Sequence, residues 1–372
     1  MRNTFLALLL CLLLTAAGPV YADSRQPAPA FQVNGTPVSF DASTGAPYIS
    51  GGRTMMPLRV CLDAAGCVVD WDQQTRTVTV RKGAAAVVIP IGGEQIFVNG
   101  RAVSIDAPAV IENGRTYLPL RAVLEAGGSA VDWDAAAKTV VATELTPANI
   151  NGGTTGIFRR QQLAFAGFDG IQAQVTLPRV ALADKGDCPY VYFGFDWQDD
   201  TGNAEGGFQF IEDPAHPCYN KWTVFLRQGS EWRWSEEPVM LEQGSSHHLK
   251  FYSQQTEGGA DLVIALDGVE VIRKPAARAD FKAASAKAVI SMAMLRTFDG
   301  SNCHSASRGA KFCELQVSAV SSESYVPMET YPLYSNWQPQ TGPAGMWYGT
   351  VDCIPSYLHS EADGSLSIYK EL

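Results

Sequence analysis

The sequence predicts an α+β repeat domain of two hairpin-helix-hairpin units, followed by an all-β sandwich of jelly-roll type. The first observation behind this prediction is a motif that is written twice: Arg53 and Trp71 recur 62 residues later as Arg115 and Trp133. The second is a stretch at 146–156, dominated by proline, asparagine and glycine, which predicts a linker between domains. The third is a series of short strand-like runs beyond that linker, without a long helical period.

Each copy of the motif predicts a strand, a helix and a hairpin. The first copy is GRTMMPLR at 52–59 and ends in DWD at 70–72; the second is GRTYLPLR at 114–121 and ends in DWD at 132–134. The proline suits the first position of a helix, where its missing N–H costs nothing. Apolar residues then recur at helical spacing on one face, which we expect to be buried: Leu58, Cys61, Leu62, Leu120, Val123 and Leu124.

Two further expectations concern single side chains of the repeat. Trp71 and Trp133 each follow a glycine-capped helix and lie in a hairpin, so we expect them in equivalent buried positions. Glu125 stands four residues after Arg121, a spacing that suits an ion pair on the surface of a helix.

The doubled pattern NGRT..PLR…WD…KTV resembles the copper amine oxidase-like N-terminal domain, or stalk domain, of secreted bacterial proteins. The resemblance covers about residues 31–143 and implies an α+β accessory module with antiparallel strands; we place this domain at 31–145. It does not imply amine oxidation, because an oxidase needs a His-x-His pair, a third histidine and a cofactor tyrosine. None of the five histidines lies in the repeat, so we expect no copper and no amine oxidase activity.

The N-terminus predicts export. Arg2 precedes an apolar run at 5–17, and small residues follow at 20–22, a pattern typical of a secretory signal peptide over residues 1–22. We therefore expect a secreted protein, extracellular or associated with the cell wall. No later stretch is long and apolar enough to predict a transmembrane segment. A formal charge of −10 without a basic cluster gives no reason to expect a nucleic-acid partner.

Cysteines outside the signal peptide could form disulfide bonds in an exported protein. The candidate pairs are Cys61 with Cys67, Cys303 with Cys313, and Cys188 with Cys218. The alternative is that several of these residues are small buried apolar side chains. Cys353 is left over, so it is either a free thiol or pairs between chains.

Residues 157–372 carry the pattern of a β-sandwich. Alternating runs follow one another, and Asp267-Gly268 between two of them predicts a tight hairpin turn. The run at 260–271 that contains this turn, with its approach at 244–251, resembles a concanavalin-like or laminin-G-like sandwich. That resemblance rests on one hairpin and its approach.

Tryptophans supply the candidate binding residues. Trp232 and Trp234 alternate on a predicted strand and therefore point to the same side. With Trp197 in a nearby acidic loop, they would form a platform on which sugar rings stack. The alternative is that these side chains fill the core, as aromatic residues commonly do. For Trp232 and Trp234, the polar neighbours along their segment leave the exposed and the buried alternatives equally open.

The acidic loop offers hard oxygen ligands that suit Ca²⁺, an ion that sandwich lectins often need: Asp196, Asp199, Asp200 and Asn203. A solvated turn is the alternative. The sequence contains no nucleophile elbow, zinc-protease or phosphate-loop motif, and no paired-carboxylate motif of a glycosidase of this fold. His247 and His248 have no partner that the sequence positions, so we expect them to be strand-edge residues.

These features predict a secreted, non-catalytic binding protein, in which a stalk module accompanies a β-sandwich that binds a glycan or another cell-surface polymer. Two alternatives stay open. One is a secreted glycan-active hydrolase or lyase on the same sandwich, and the other is a structural envelope protein. The sequence identifies no catalytic residue, and Ca²⁺ is the only cofactor that it suggests.

Overall fold

The computed structural model describes residues 28–83, 85–147, 156–197, 202–294, 302–320, 322, 324–334, 340–341, 347–348, 352–353 and 355–371. The predicted signal peptide and most of the predicted linker lie outside these ranges. Two units follow each other along the chain, and each has its own apolar core. No helix in the described ranges is long and apolar enough to cross a membrane.

The described part of the first unit consists of strands and two short helices. In chain order they are β1 (Ala30–Val33), β2 (Thr36–Pro37), β3 (Tyr48–Ser50), β4 (Arg53–Pro57), α1 (Leu58–Ala64), β5 (Val68–Asp72), β6 (Thr77–Lys82), β7 (Ala85–Pro90), β8 (Gln95–Val98), β9 (Arg101–Ser104), β10 (Val110–Glu112), β11 (Arg115–Leu118), α2 (Arg121–Ala126), β12 (Ser129–Asp134) and β13 (Thr139–Glu144). The helices have only 7 and 6 residues.

Strands from the two copies of the motif are mixed in all three sheets of this unit. β1 and β2, which precede the first copy, extend the hairpin of the second copy in the order β12-β13-β1-β2. β8 and β9, which precede the second copy, extend the hairpin of the first in the order β5-β6-β7-β8-β9. The third sheet, β10-β11-β4-β3, takes two strands from each copy. The prediction of an α+β domain of two hairpin-helix-hairpin units is therefore wrong, because the chain is nearly all β and neither copy completes its own sheets.

The pairing of β4 with β11 relates the two copies to each other. Met56 lies opposite Leu118, its own equivalent 62 residues later, which is the register that a two-fold axis between the copies produces. The inward faces of both helices then share one core, in which Leu62 is 0% and Leu124 1% exposed. Since each helix buries its apolar face against strands of both copies, the motif folds as a pair.

Trp71 and Trp133 have matching environments, but they are not buried. Each keeps 37% of its surface exposed. They point to the same side of their strands as the buried Val69 and Val131, but they lie two residues further along, beyond the edge of the core. The prediction that both tryptophans are buried is wrong.

The second unit is a sandwich of two antiparallel sheets. Its elements are β14 (Thr146–Pro147), β15 (Gly156–Gln162), β16 (Phe165–Ala166), β17 (Phe168–Thr176), β18 (Arg179–Ala181), β19 (Asp187–Trp197), β20 (Asn203–Phe210), β21 (Trp222–Gln228), β22 (Glu231–Trp234), β23 (Ser246–Thr256), β24 (Gly259–Leu266), β25 (Val269–Pro275), β26 (Ala284–Met294), β27 (Ala306–Ala319), β28 (Val326–Pro327), β29 (Gln340–Thr341), β30 (Trp347–Tyr348), β31 (Asp352–Cys353), β32 (Leu358–Ser360) and β33 (Leu366–Ile368), with 3₁₀ turns at Phe281–Ala283, Met328–Thr330 and Pro355–Tyr357.

The first sheet of the sandwich has the order β22-β21-β20-β19-β26-β15-β31. The second has the order β25-β24-β23-β17-β27-β33-β32, and β18 and β28 also pair with β27. Alternate side chains of each strand fill the space between the sheets, so that Phe195 of β19 meets Phe251 of β23 with ring centroids 5.0 Å apart. The predicted turn at Asp267-Gly268 joins β24 to β25, with φ angles of 51° and 84°.

The two units meet at an interface beside α2. Leu145 of the first unit belongs to the core of the second. Gly128, at φ +83°, is approached so closely by the ring of Phe165 that a side chain at this position would collide with it. Glu125 lies at the same interface, where α2 contacts the turn Met328–Thr330, and it is 1% exposed.

Glu125 is a buried carboxyl group, although the sequence predicts a surface ion pair. Nη1 of Arg121 lies 3.8 Å from its Oε1, beyond hydrogen-bond distance. Neither carboxyl oxygen of Glu125 has a hydrogen bond of good geometry among the described residues, and the hydroxyl of the neighbouring Thr330 donates to Pro327 O at 2.8 Å. Burial outweighs the charge of Arg121 and the nearby hydroxyl of Thr330, which both favour the ionised form, and raises the pKa of Glu125 from 4.5 to about 8.

We predict that Glu125 makes the protein less stable as the pH rises from 4.5 to about 8. In this window the folded protein keeps a proton that the unfolded chain releases, so the free energy of unfolding falls, by at most ~1.4 kcal/mol per pH unit. Glu125→Gln is uncharged at every pH and should remove this contribution. Denaturant unfolding across the window measures it, with Glu144→Gln at an exposed ion pair as the control. An unchanged pH slope in Glu125→Gln would show that the carboxyl is already ionised in the fold.

Candidate functional site

One face of the first sheet points away from the core of the sandwich, and we call it the outer face. It consists of the alternate side chains of β15, β19, β20, β21, β22 and β26 that do not enter that core. A separate aromatic cluster lies on it, formed by Phe158, Tyr190, Tyr192, Phe225 and Trp232 around Val289. The rings of Tyr190, Phe225 and Trp232 have centroids 5.1 to 6.1 Å apart. The outer face is therefore apolar at its centre.

Trp232 and Trp234 extend this cluster to the edge strand β22. Their rings are nearly parallel, with an interplanar angle of 18° and centroids 6.0 Å apart. Trp232 packs on Phe225 at 5.1 Å, and the guanidinium of Arg227 lies 5.6 Å from its ring. Trp234 keeps 40% of its surface exposed and lies 5.9 Å from the ring of His216. The two tryptophans share a face, as their alternation predicts, and they form a partly exposed aromatic surface.

A charged network lies beside the aromatic cluster. Nζ of Lys287 is 2.8 Å from Asp196 Oδ1 and 2.9 Å from Glu205 Oε1. Arg227 donates two hydrogen bonds to Glu205 Oε2, at 2.6 and 3.0 Å. Gly194 lies between Glu205 and Lys287 in the sheet register, and a Cβ there would come within 2.5 Å of Lys287 Cε. The absence of a side chain at Gly194 is thus what lets the lysine reach both carboxylates.

The pairing of these groups overcomes the cost of burying them. Burial alone would raise the pKa of Glu205, but the charges of Lys287 and Arg227 hold it below its usual value. Burial alone would lower the pKa of Lys287, but Asp196 and Glu205 hold it above its usual value. Glu205 is therefore a carboxylate and Lys287 an ammonium ion at neutral pH. Neither is suited to proton transfer near pH 7, so the network acts as a set of fixed charges.

Some oxygens on the outer face have unused hydrogen-bonding capacity. Four buried side-chain oxygens have no hydrogen-bond partner in the described ranges: Asp196 Oδ2, Gln162 Oε1, Gln209 Oε1 and Ser291 Oγ. The register of β15, β19, β20 and β26 places all four on this face. All four atoms are buried, so they lie beneath the surface that a ligand on this face would touch.

Trp197 lies on the opposite side of the sheet from the exposed pair. It follows Phe193 and Phe195 at alternate positions of β19 and therefore points into the core, where it is 4% exposed. Its ring packs on Phe281 at 5.2 Å, and its Nε1 donates to Asp280 O at 2.8 Å. Trp197 is therefore a core residue, and the prediction that it belongs to the sugar-binding platform is wrong.

The predicted calcium ligands are only partly described, because Asp199 and Asp200 lie outside the described residues. Asp196 forms an ion pair with Lys287, and Nδ2 of Asn203 lies 3.4 Å from Oε1 of Glu205. Within the described ranges, no group of three or more His, Cys, Asp or Glu side chains could hold a metal ion. The calcium site stays a prediction.

The structure does not show the predicted disulfides. The six candidate cysteines are all free thiols: Cys61, Cys67, Cys188, Cys218, Cys303 and Cys313. Cys61 and Cys67 pack in the core of the first unit, where burial raises the pKa of both thiols and keeps them protonated. Sγ of Cys188 lies 3.2 Å from Gln209 Nε2 instead of another sulfur. The side chain of Cys353 lies outside what the structure describes.

A second group of polar residues was missed by sequence reasoning. His247, expected at a strand edge without a positioned partner, lies between Ser245 and Asp267. Its Nε2 is 2.8 Å from Ser245 Oγ and its Nδ1 is 2.8 Å from Asp267 Oδ2. The sequence contained one signal for this contact, the turn at Asp267-Gly268. The strand that leads into this turn pairs with the strand of His247, which brings Asp267 beside the histidine.

A cavity of about 620 Å³ lies in the first unit, at the seam between the two copies of the motif. The half-exposed Trp71 lines it from the first copy, and Ile111 and Arg115 line it from the second. Arg115 is held there by a 3.1 Å hydrogen bond from its Nε to Ser43 O. The cavity gives the repeat unit a concave surface with one aromatic wall.

We predict that Lys287→Met destabilises the second unit by about 3–5 kcal/mol, because it leaves Asp196 and Glu205 buried without their shared cation. Lys221→Met breaks an exposed pair with Glu242 and should cost ~0–1 kcal/mol. Denaturant unfolding measures both. Equal costs for the two variants would contradict the role assigned to Lys287.

No curated protein matches the chain. The chain is similar to scytalido-glutamic peptidase with a transition state analog inhibitor, at 10% identity over 59% of this chain and 100% of that one, with a TM-score of 0.37. It is also similar to the kappa-carrageenase zobellia_236 from Zobellia galactanivorans, at 13% identity over 43% of this chain and 60% of that one, with a TM-score of 0.25. A third is a glycoside hydrolase family 16 endo-glucanase from Bacteroides ovatus, at 9% identity over 60% and 73%, with a TM-score of 0.25. At scores this low we draw no conclusion about function from them.

The repeat unit gives a specific match. Residues 32–142 contain no histidine, so this segment lacks the imidazole ligands that a copper site would need. Residues 32–142 match the family model of the copper amine oxidase N-terminal domain, which confirms the stalk-domain resemblance for this segment.

Proposed function

We propose that this protein is a secreted protein whose sandwich binds a glycan, without catalysis there, on the outer face of its first sheet. The observation that carries the proposal is the pair Trp232–Trp234, two nearly parallel rings at the edge of that face. Sugar rings have one apolar face of C–H groups, which packs on an indole ring, while their hydroxyl groups stay free for hydrogen bonds.

The surroundings of the pair support a carbohydrate over other ligands. The guanidinium of Arg227 lies 5.6 Å from the ring of Trp232 and carries N–H donors beside the pair. The protein is acidic and its sequence has no cluster of basic residues. It is therefore not suited to bind a polyanion through charge.

In this proposal the repeat unit is a spacer or a wall-associating module. The half-exposed Trp71 in the cavity at its seam would give it a contact of its own with a polymer. Because Leu145 and Gly128 join it to the sandwich through packed contacts, the repeat unit would hold the outer face in a fixed direction.

The alternative is a glycan-active hydrolase or lyase on the same face. The observation in its favour is that Asp196 and Glu205 both lie within 2.9 Å of Lys287, which brings two carboxyl groups together. A glycosidase, however, needs one carboxyl that stays protonated to act as the acid. The pairing holds Glu205 ionised, so the outer face favours binding over hydrolysis. Release of reducing sugar from a bound glycan would support the alternative.

We predict that Trp234→Ala weakens glycan binding by about 1–3 kcal/mol, or roughly 5- to 150-fold in Kd, without unfolding the protein. Trp234 is 40% exposed, so little core packing is lost. Screening on a glycan array followed by calorimetry in low and high salt measures the effect, and stacking predicts a weak dependence on salt.

Trp133→Ala is the matched control, because Trp133 has a similar exposed fraction, 37%, and lies in the other unit. It should leave binding unchanged. Equal binding by the wild type and Trp234→Ala would rule out the platform, and a wild type that binds no glycan would leave the structural envelope role as the remaining prediction.

A further inference from the structure

A hydrogen-bonded series of three side chains lies at the start of β23, in the second sheet. Oγ of Ser245 is 2.8 Å from His247 Nε2, and His247 Nδ1 is 2.8 Å from Asp267 Oδ2. A hydroxyl, an imidazole and a carboxylate in this order and at these distances are the parts of a nucleophile, a general base and an orienting acid. The series does not belong to the outer face of the first sheet.

The hairpin turn fixes the acid of this series. Asp267 is the first residue of the turn and has φ 51°. Its Oδ1 accepts the backbone N–H of His248 at 2.8 Å, which leaves Oδ2 for the ring of His247. Burial opposes ionisation, but the hydrogen bonds from His247 and His248 prevail and hold the pKa of Asp267 below its usual value. Asp267 is therefore a carboxylate at neutral pH, and it requires a proton on Nδ1.

That proton determines what the other nitrogen does. In a neutral ring with its proton on Nδ1, Nε2 is an acceptor, and the hydroxyl of Ser245 is the donor at 2.8 Å. The same hydroxyl has a second acceptor, Glu242 O, at 2.7 Å. When His247 is protonated, Nε2 donates to Oγ, and the hydroxyl proton turns to Glu242 O. The neutral ring thus directs the hydroxyl proton of Ser245 towards a base.

We propose that Ser245, His247 and Asp267 form a nucleophilic centre that hydrolyses esters of short acyl groups. Oγ of Ser245 attacks the ester carbonyl carbon while its proton passes to Nε2 of His247. The tetrahedral adduct expels the alkoxide, which takes that proton from Nε2 and leaves as the alcohol. Water then attacks the acyl-serine with the same base, which releases the carboxylic acid and restores the hydroxyl.

The surroundings of the centre limit the substrate. Ser245 and His247 are partly exposed, and the side chain of Asp267 is 54% exposed, so the ester is approached from solvent. The guanidinium of Arg179 lies beside Gly244, the residue before Ser245. A Cβ on Gly244 would be 3.2 Å from Nη2 of Arg179. This places a positive charge near the backbone of the residue that precedes the nucleophile. A shallow site of this kind suits a small acyl group, such as acetyl.

The experiment uses the full chain and two probes, an alkyl fluorophosphonate and 4-nitrophenyl acetate. The fluorophosphonate bonds to a serine oxygen with loss of fluoride, and peptide mass spectrometry locates it. We expect label on Ser245 in the wild type and a burst of 4-nitrophenol followed by slower turnover. Ser245→Ala should abolish the label and the burst, and His247→Gln should do the same.

Neighbouring residues provide matched controls. Ser246→Ala and His248→Gln remove a hydroxyl and an imidazole one residue away, and both should label like the wild type. Asp267→Asn keeps the oxygen that accepts the N–H of His248 and tolerates the positive φ, so the turn should survive; it should slow labelling by ~100-fold or more, because the ring loses its orienting acid. A wild type without label, label that persists in Ser245→Ala, or unchanged labelling in Asp267→Asn would overturn the proposal. None of these outcomes depends on glycan binding at Trp234.

Discussion

The position of Lys287 between two carboxylates is the constraint on which the first sheet of the sandwich depends. An ammonium ion in a sheet that is buried on both faces costs several kcal/mol unless it is paired. Asp196 and Glu205 come from the next two strands along the sheet, and Gly194 leaves the space that the lysine crosses. The network therefore ties β26, β19 and β20 together in one register. A shift by one residue would turn a charge into the apolar core.

The same constraint explains where the exposed aromatic pair lies. Because Arg227 completes the charge balance on Glu205, β21 must present its outer side chains in register with β20. β22 then pairs with β21 so that Trp232 lies opposite Arg227 and Trp234 opposite Phe225. The buried charges thus fix the face on which both rings emerge. They are more suited to this positioning role than to catalysis, because the coupled groups stay ionised.

Local signals in the sequence predicted local structure well. The turn at Asp267-Gly268 and the inward faces of both short helices follow from φ preferences and helical spacing. The exchange of strands between the copies could not be predicted in this way, because the repeated motif gives each strand two partners with the same pattern. The burial of Glu125 was equally hidden, since its partner surface lies about two hundred residues away in the chain.

In the candidate site as well, the sequence predicted the positions of side chains along a strand but not their contacts with other strands. Alternation placed Trp232 and Trp234 on one face, and the same rule, applied from Phe193 onwards, would have placed Trp197 in the core. Lys287 lies in a run of small and apolar residues, ASAKAVISM. Such a run is typical of a strand that is buried on both faces, so it indicates that the lysine is buried. Its carboxylate partners lie on other strands, and the alternation of residues along one strand cannot predict contacts with another. His247 likewise gained its partners only when the hairpin closed.

The segment between Trp234 and Ser245 connects the two proposed sites. It runs from the edge strand of the first sheet to the start of β23 in the second, and Leu241 is held halfway by backbone hydrogen bonds of 2.9 and 3.1 Å with Trp222. Eleven residues span at most about 40 Å when extended, and the pairing at Leu241 makes the real separation shorter. Both sites therefore lie within the length of a polymer of several sugars. A glycan that carried acyl esters could stack on the tryptophan pair while one of its esters reached Ser245, and binding would then raise the local concentration of ester at the nucleophile.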